Sequence, residues 1–203
     1  AVEKGRRECL DLLRARGHGL ILPPMLEYLD SLTNGIGADL QEKIMVVTDR
    51  ISGRLMGFRP DITPQAARID AHSLNESGIT RLCYCGGVLL AVSPGDDSSR
   101  SPIQVGAELF GDSSIDADAE ILQTAIDIVR LFTNEPLLVD FGHVGALKRL
   151  LAEQPEEFEA EALDALARKD QDALVRLEEK VPELGVIKTA YGDLDTVLKS
   201  ISS

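Results

Sequence analysis

Gln104 and Glu108 are the side chains whose type and spacing first suggest chemistry. They belong to Ile103–Phe110, in which apolar residues alternate with polar or small ones, a pattern typical of a β-strand. Because side chains two residues apart point to the same face of a strand, the amide and the carboxylate share one face. That face is suited to binding a polar ligand or to catalysis, but a hairpin with neither role has the same pattern.

Few other residues compete as a functional site. His18, His72 and His143 are scattered without ligand spacing, so no metal site is predicted. We expect His18 to be exposed in a turn after Gly17, His72 to lie on a helix surface, and His143 to be structural at a strand end. The sequence has no Gly-rich phosphate loop and no Ser-His-Asp set, and only 4% of its residues are aromatic. No cofactor is therefore predicted.

The strand that carries Gln104 and Glu108 must pair with a neighbour. Residues 81–92 predict an apolar partner strand, and the loop 93–101, rich in Pro, Gly, Asp and Ser, predicts a long irregular connection. Upstream, 44–49 and 55–59 predict a second hairpin turning at 50–53. Thr63 is expected to cap a helix that carries Pro64 at its first position and runs to Ser77.

Further helices are expected on both sides of these hairpins. Residues 2–16 predict an amphipathic helix that Gly17 ends, 20–22 a short strand, and 34–40 a loop. Asp116 is expected to cap a helix running to about Phe132, and 136–141 to form a strand. The apolar side of the Asp116 helix is expected to face inward through Ile121, Leu122, Ala125, Ile126 and Val129.

Composition limits the class of protein. A chain of 203 residues with 44% hydrophobic content can bury a substantial core. The net charge of −13 argues against nucleic acid as the main partner. No apolar run reaches the roughly 18 residues of a membrane span, and the charged N-terminus, which lacks an initiator Met and suggests trimming, does not resemble a signal peptide. Cys9, Cys83 and Cys85 are expected to be free buried thiols, so a cytoplasmic protein without membrane contact is predicted.

The order of these elements predicts an α+β fold in two parts. Residues 1–142 combine an antiparallel sheet with helices, whereas 143–203 read as short helices rich in Ala, Leu, Glu and Lys. Pro155, Pro182 and Gly185 separate those helices.

Several segments in the same order resemble class II histidyl-tRNA synthetases. Residues 58–64, FRPDITP, resemble the family's amino-acid pocket segment, and 84–111 resembles its second class-defining motif. Pro24 resembles the proline of the first motif, which lies at a dimer interface. Details at 52–57, 65–72 and 104–111 fit one group of paralogues better, the regulatory subunits of ATP phosphoribosyltransferase. The resemblance covers about residues 1–150 well, and it implies a class II synthetase-like antiparallel sheet flanked by helices, followed by a small helical C-terminal segment.

The ATP half of the synthetase site is altered in this layout. An arginine that stabilises charge on the α-phosphate is replaced by Leu90, and the acidic residue that holds the adenine amino group is replaced by Val92. Such preorganised charge is typically worth about 10²–10³ in rate, and leucine cannot supply it. Arg100 remains in the following loop, where we expect it to be solvated. The resemblance therefore implies that the chain has no catalytic residues.

The amino-acid half keeps its polar residues. Asp61, Thr63, Gln104 and Glu108 stand where the family's histidine-binding residues stand. A ligand ammonium group needs acceptors, which Asp61, Thr63 and Gln104 offer, and an imidazole N–H could bind Glu108. The alternative is that these residues only satisfy nearby backbone groups or Arg59.

The resemblance implies a non-catalytic regulatory subunit that activates a short-form ATP phosphoribosyltransferase catalytic subunit and transmits feedback inhibition by histidine. A dimeric core within a larger hetero-oligomer is expected. Histidine could bind in the old pocket or at the subunit interface. An active histidyl-tRNA synthetase fragment and a ligand-free scaffold remain alternatives. The family's third motif does not appear before Ser203, so the chain is either truncated or part of a longer sequence.

Overall fold

The computed structural model describes residues 1–74, 78–93, 95, 99–139, 145, 148–149, 151–182 and 184–185. The chain divides into two compact units, Ala1–Leu137 and Leu138–Ser203. The functional division at 142/143 stays a prediction.

The first unit contains a three-stranded sheet of β1 (Gly19–Leu20), β5 (Thr80–Gly87) and β6 (Ile103–Phe110), in the order β1-β5-β6. β1 runs parallel to β5, whereas β5 and β6 form the antiparallel hairpin expected from the sequence. Helix α1 (Val2–Ala15) contributes Leu10 and Leu13 to an apolar cluster with Cys83, and Gly17, at φ +84°, follows the helix end. Burying these side chains anchors the hairpin on the face opposite the polar one.

A second three-stranded sheet consists of β2 (Leu26–Tyr28), β3 (Met45–Thr48) and β4 (Leu55–Phe58), in the antiparallel order β2-β4-β3. Its β3–β4 turn forms because the Asp49 carboxylate accepts the backbone N–H groups of Ile51 and Ser52 at 3.1 and 3.0 Å. The sequence predicted one antiparallel sheet. The described residues form two sheets, which an isolated bridge between Ile44 and Leu90 joins.

Helices complete the first unit: α2 (Leu29–Thr33), α3 (Ala38–Gln41), α4 (Thr63–Ile69) with a π-helical turn over Asp70–Leu74, and α5 (Ile115–Arg130). α3 begins within the predicted loop 34–40 and ends one residue beyond it, so that loop assignment is wrong in part. The end of the helix predicted to reach Ser77 lies outside the described residues. None of the helices among the described residues is long and apolar enough to cross a membrane.

Two predicted helix caps are wrong. Ser114, not Asp116, caps α5, since its side chain accepts the Ala117 N–H at 3.3 Å. Thr63 is already the first residue of α4 and makes no capping bond, and Pro64 is the second helical residue, not the first as predicted. Its hydroxyl contacts Tyr84 instead. For α5, Ser114 and Asp116 are both good helix-capping residues and stand two positions apart, so only the backbone geometry shows which of them is the cap.

Other local predictions also fail. Residues 136–139 form no strand, while 140 and 141 lie outside the described residues. In α5, Ala125 and Val129 are exposed, and Ala117 and Thr124 are its buried residues. α5 is tied to the sheet partly by polar contacts: Arg81 of β5 binds Glu120 through two bonds of 2.6 and 2.7 Å.

The second unit contains two described helices, α6 (Glu156–Arg168) and α7 (Gln171–Glu178). Asp170 caps α7 by accepting the Ala173 N–H at 3.0 Å. Their apolar faces meet in a cluster of their own that includes Phe158, Ala162 and Leu174. The helical nature predicted for this segment is confirmed over these residues.

His18 is buried, so the prediction that it is exposed is wrong. Only 3% of the residue is accessible, and neither ring nitrogen has a hydrogen-bond partner among the described residues. Its backbone is drawn in because the N–H donates to Leu13 at 3.1 Å and the next residue, Gly19, pairs with Leu82. Burial lowers the pKa of His18, since the charged imidazolium would lose its hydration.

The buried His18 makes the fold sensitive to acid. The unfolded chain takes up this proton near pH 6.5, whereas the folded chain resists it, so stability present above that pH is lost as the pH falls. We expect the urea midpoint to depend less on pH between about 7.5 and 5 in His18→Leu than in the wild type. His72→Leu, which changes an exposed histidine, is the control. Equal pH dependence in His18→Leu and the wild type would contradict this role.

Candidate functional site

The candidate site lies on the polar face of the β5–β6 hairpin. Register places Gln104 opposite Gly86, Gly106 opposite Tyr84, and Glu108 opposite Leu82. The Tyr84 ring covers Gly106 so closely that a Cβ on that glycine would lie 2.3 Å from the Tyr84 hydroxyl. Gln104 and Glu108 therefore flank an aromatic ring whose hydroxyl lies between the strands and α4.

The start of α4 supplies the second wall. One Asp61 oxygen, Oδ1, accepts the Thr63 backbone N–H at 2.9 Å and the Gln104 side-chain N–H at 2.7 Å. The Gln104 carbonyl oxygen in turn accepts the Ile62 N–H at 3.0 Å. These three bonds fix the orientation of the Gln104 amide and bring Asp61 and Gln104 together.

Tyr84 connects the remaining two predicted residues. Its hydroxyl is 2.8 Å from the Thr63 hydroxyl and donates to the Glu108 carboxylate at 3.0 Å. The residue is 2% exposed, and burial raises the pKa of Tyr84, as does the neighbouring Glu108 charge to a lesser extent. Asp61, Thr63, Gln104, Glu108 and Tyr84 thus form one hydrogen-bonded cluster, which we call the polar network.

The sequence patterns did not point to Tyr84. A usable signal was present, because strand alternation puts Tyr84 on one face with Leu82 and Gly86, and a glycine in the partner strand often marks the close approach of another group. What the sequence lacked was the register that sets this tyrosine opposite Gly106.

Arg59 is not part of the polar network, but it holds together the segments next to it. It is 5% exposed and donates to the carbonyl oxygens of Gly87 and Pro23 at 3.0 and 2.7 Å, and to the Gln65 side chain at 3.3 Å. Burial lowers the pKa of Arg59. The contacts join the ends of β4 and β5 to the segment before Pro24.

Pro24, predicted at a dimer interface, is exposed. Gln65 holds its carbonyl oxygen with a 2.8 Å bond, and its neighbours Leu22 and Met25 are 80% and 39% exposed. An apolar segment that is both exposed and held by buried side chains is a reasonable association surface. The predicted interface remains a prediction.

An open cleft of about 680 Å³ adjoins the polar network and shares Asp61 and Gln104 with it. Its walls are largely apolar and include Val88, Leu90 and Val92. Leu90 is 9% exposed and Val92 64%. The described residues lining the cleft include no arginine, and Lys43 is their cationic side chain.

Arg100 does not bring its charge into the cleft lining. Its Nε donates to the Leu90 carbonyl at 2.9 Å, and its own carbonyl accepts the Leu90 N–H at 2.8 Å. The residue is exposed, as expected for a loop arginine, but it is anchored to the backbone. This pairing clamps the base of the loop between β5 and β6.

In the described part of the chain, no three His, Cys, Asp or Glu residues form a group that could hold a metal ion. His72 is exposed on the π-helical turn, and His143 lies outside the described residues. The three cysteines are free, with Cys9 and Cys83 buried and Cys85 half-buried.

Comparison with known proteins gives consistent results. The family model for histidyl-tRNA synthetase matches residues 1–201. A curated relative from Azoarcus sp. is 46% identical over 90% of this chain and 48% of its own length, and one from Cupriavidus metallidurans is 42% identical over 97% and 53%. Both are named ATP phosphoribosyltransferase regulatory subunit. The chain spans about half the length of the curated relatives it matches.

Solved structures share the fold. A protein from Bacillus halodurans, described as an ATP phosphoribosyltransferase regulatory subunit/histidyl-tRNA synthetase, superposes with a TM-score of 0.80 at 22% identity, covering 98% of this chain and 54% of that one. A chain of the ATP phosphoribosyl transferase (HisG:HisZ) complex from Thermotoga maritima gives 0.67 at 17% identity, covering 98% and 74%. The predicted α+β, synthetase-like fold is confirmed.

Proposed function

This chain belongs to the histidyl-tRNA synthetase family, and we propose that it acts within that family as a non-catalytic regulatory subunit of ATP phosphoribosyltransferase. In this role it binds a short-form catalytic subunit, which performs the transfer of a phosphoribosyl group to ATP in histidine biosynthesis. The chain supplies no cofactor, metal or reacting group of its own, and it acts in the cytoplasm.

One observation carries the proposal: an intact polar network borders a cleft whose wall is aliphatic where a synthetase needs charge. Leu90 offers neither a charge nor a hydrogen-bond donor for a phosphate, and Val88 and Val92 extend the apolar surface on that side. Loss of one preorganised donor alone typically lowers a rate by about 10²–10³. A site of this kind can hold an amino acid without activating it.

Histidine fits the polar network chemically. Asp61 uses only Oδ1 in its bonds within the network, so its second carboxylate oxygen can accept a ligand ammonium N–H together with the Thr63 hydroxyl. Glu108 accepts one bond from Tyr84 and keeps further acceptor positions for an imidazole N–H. Asp61 and Glu108 also give the site the negative charge that a cationic ammonium group favours.

Feedback inhibition then follows from linkage. Histidine inhibits the assembly only if it binds more tightly to an inactive arrangement than to an active one, and the same free energy couples the two sites in both directions. Self-association through the exposed surface around Pro24 gives a dimeric core on which the catalytic subunits assemble.

Mixing the full-length protein with a short-form catalytic subunit tests the proposal directly. We expect the full-length protein to bind a short-form catalytic subunit, to raise its rate of phosphoribosyl-ATP formation, and to make that rate sensitive to histidine. Glu108→Ala should raise the histidine concentration for half-inhibition at least about tenfold, because one charged hydrogen bond is worth about 1.5–3 kcal/mol. Glu135→Ala, which changes an exposed glutamate of the same unit, is the matched control.

Two results would contradict the proposal. One is the absence of association between the two proteins. The other is histidine-dependent ATP–pyrophosphate exchange by the full-length protein, which would identify an active synthetase. Activation without any histidine effect would leave an assembly scaffold and remove the sensing role.

A further inference from the structure

Tyr84 occupies a special position in the polar network, because its hydroxyl touches side chains on both sides of the candidate pocket. It lies 2.8 Å from Thr63, expected near the ligand ammonium group, and 3.0 Å from Glu108, expected near the imidazole. Tyr84 was not among the residues that the synthetase resemblance suggested. Its hydroxyl is buried, so it acts through its two neighbours.

The number of protons determines the direction of these bonds. A phenol carries one proton, and the Glu108 carboxylate can only accept, so the Tyr84 proton is committed to Glu108. The 2.8 Å contact with Thr63 then requires the threonine hydroxyl to donate to the tyrosine oxygen. Thr63 has no second proton, and its free lone pair can only accept a hydrogen bond from a ligand.

Packing holds the tyrosine in this arrangement. Its ring lies in an apolar cluster with Ile62, Ala66 and Val88, and the missing side chain of Gly106 leaves room for it. Burial also raises the pKa of Tyr84, so the phenol keeps its proton under ordinary conditions. The direction of the relay from Thr63 through Tyr84 to Glu108 is therefore fixed before a ligand arrives.

We propose that Tyr84 is the positioning residue that makes Thr63 an obligatory acceptor and so restricts the pocket to ligands with an ammonium donor beside the imidazole. This inference rests on the proposed binding of histidine at this site. A site built to pair with a donor discriminates strongly against an analogue that lacks it, because its own polar groups then remain unpaired. Tyr84 thus sets specificity without touching the ligand.

Calorimetric titration of the full-length protein with L-histidine and with imidazolepropionate, which lacks the ammonium group, tests the inference. In the wild type we expect histidine to bind more tightly. In Tyr84→Phe, which keeps the ring, Thr63 is free to rotate its proton toward the ligand. We therefore expect the ratio of the imidazolepropionate dissociation constant to the histidine dissociation constant to fall by about tenfold, mostly because histidine binds more weakly.

Matched variants separate the effect of the hydrogen-bond direction at Thr63 from a general disturbance of the binding site. Tyr28→Phe removes the hydroxyl of a tyrosine that packs under Arg54 outside the polar network, and it should leave the ratio unchanged. Thr63→Val should lower the ratio by itself, and adding Tyr84→Phe to it should change the ratio little further, because both act through one hydroxyl. Thr63→Ser keeps the hydroxyl and should therefore retain the wild-type ratio.

The outcomes are distinguishable. If the wild type binds neither compound, histidine binding at this site is refuted and the role of Tyr84 with it. If the wild type binds histidine but Tyr84→Phe leaves the ratio unchanged, or weakens both compounds equally, the directional role is overturned and the proposed function stands. If Tyr84→Phe does not fold, the ratio in Thr63→Val decides, since an unchanged ratio there overturns the same inference.

Discussion

Gly106→Ala is expected to destabilise the first unit by about 3–5 kcal/mol and to weaken histidine binding at least tenfold. The new methyl group would lie 2.3 Å from both the hydroxyl and Cζ of Tyr84, a distance that side-chain carbon atoms do not tolerate. Overpacking of this kind typically costs about 1–3 kcal/mol, and the displaced hydroxyl also loses its bonds to Thr63 and Glu108 at about 1 kcal/mol each. Urea unfolding and calorimetry measure the two effects.

Gly87→Ala is the matched control, because it changes a glycine of the same hairpin in open surroundings. The nearest atom to its added carbon is the end of the Met25 side chain, at 3.9 Å, which is an ordinary contact. We expect a stability change below about 1 kcal/mol there. A Gly106→Ala protein as stable as the wild type would show that the Tyr84 ring is not held against β6.

Arg59→Leu is expected to cost about 3 kcal/mol or more in the free energy of unfolding. The arginine is almost fully buried, and its removal leaves the carbonyl oxygens of Gly87 and Pro23, and the Gln65 amide oxygen, without this donor. Each buried acceptor left unpaired typically costs about 1–3 kcal/mol, less where water reaches it. Since Pro23 precedes the predicted interface residue, weaker self-association should accompany the loss of stability.

Arg100→Leu provides the comparison for Arg59. This arginine is exposed, and among the described residues its side chain donates to one backbone carbonyl, that of Leu90, so its loss should cost about 1 kcal/mol or less. Similar urea midpoints for the two variants would mean that the bonds of Arg59 are replaced by water after the substitution, and that Arg59 does not support the hairpin.

Local patterns predicted much of the frame. The helix α1, the turn between β3 and β4, and the strand β6 depend on residues close in sequence, and each was found where expected. The same short-range rule put Gln104 and Glu108 on one face. The predictions failed where equivalent local signals compete, as with Ser114 and Asp116 before α5, or where burial depends on distant partners, as with His18.

The candidate site shows the same distinction between what local sequence determines and what distant packing determines. The sequence by itself determined which side chains are available: the aliphatic Leu90, and the polar groups of Asp61, Thr63, Gln104 and Glu108. Only the tertiary structure decided that these four are joined through Tyr84, because that depends on the pairing of Tyr84 with Gly106 across a long loop. Periodicity gives the face of a strand, whereas register and the direction of a hydrogen bond are set by packing between distant segments.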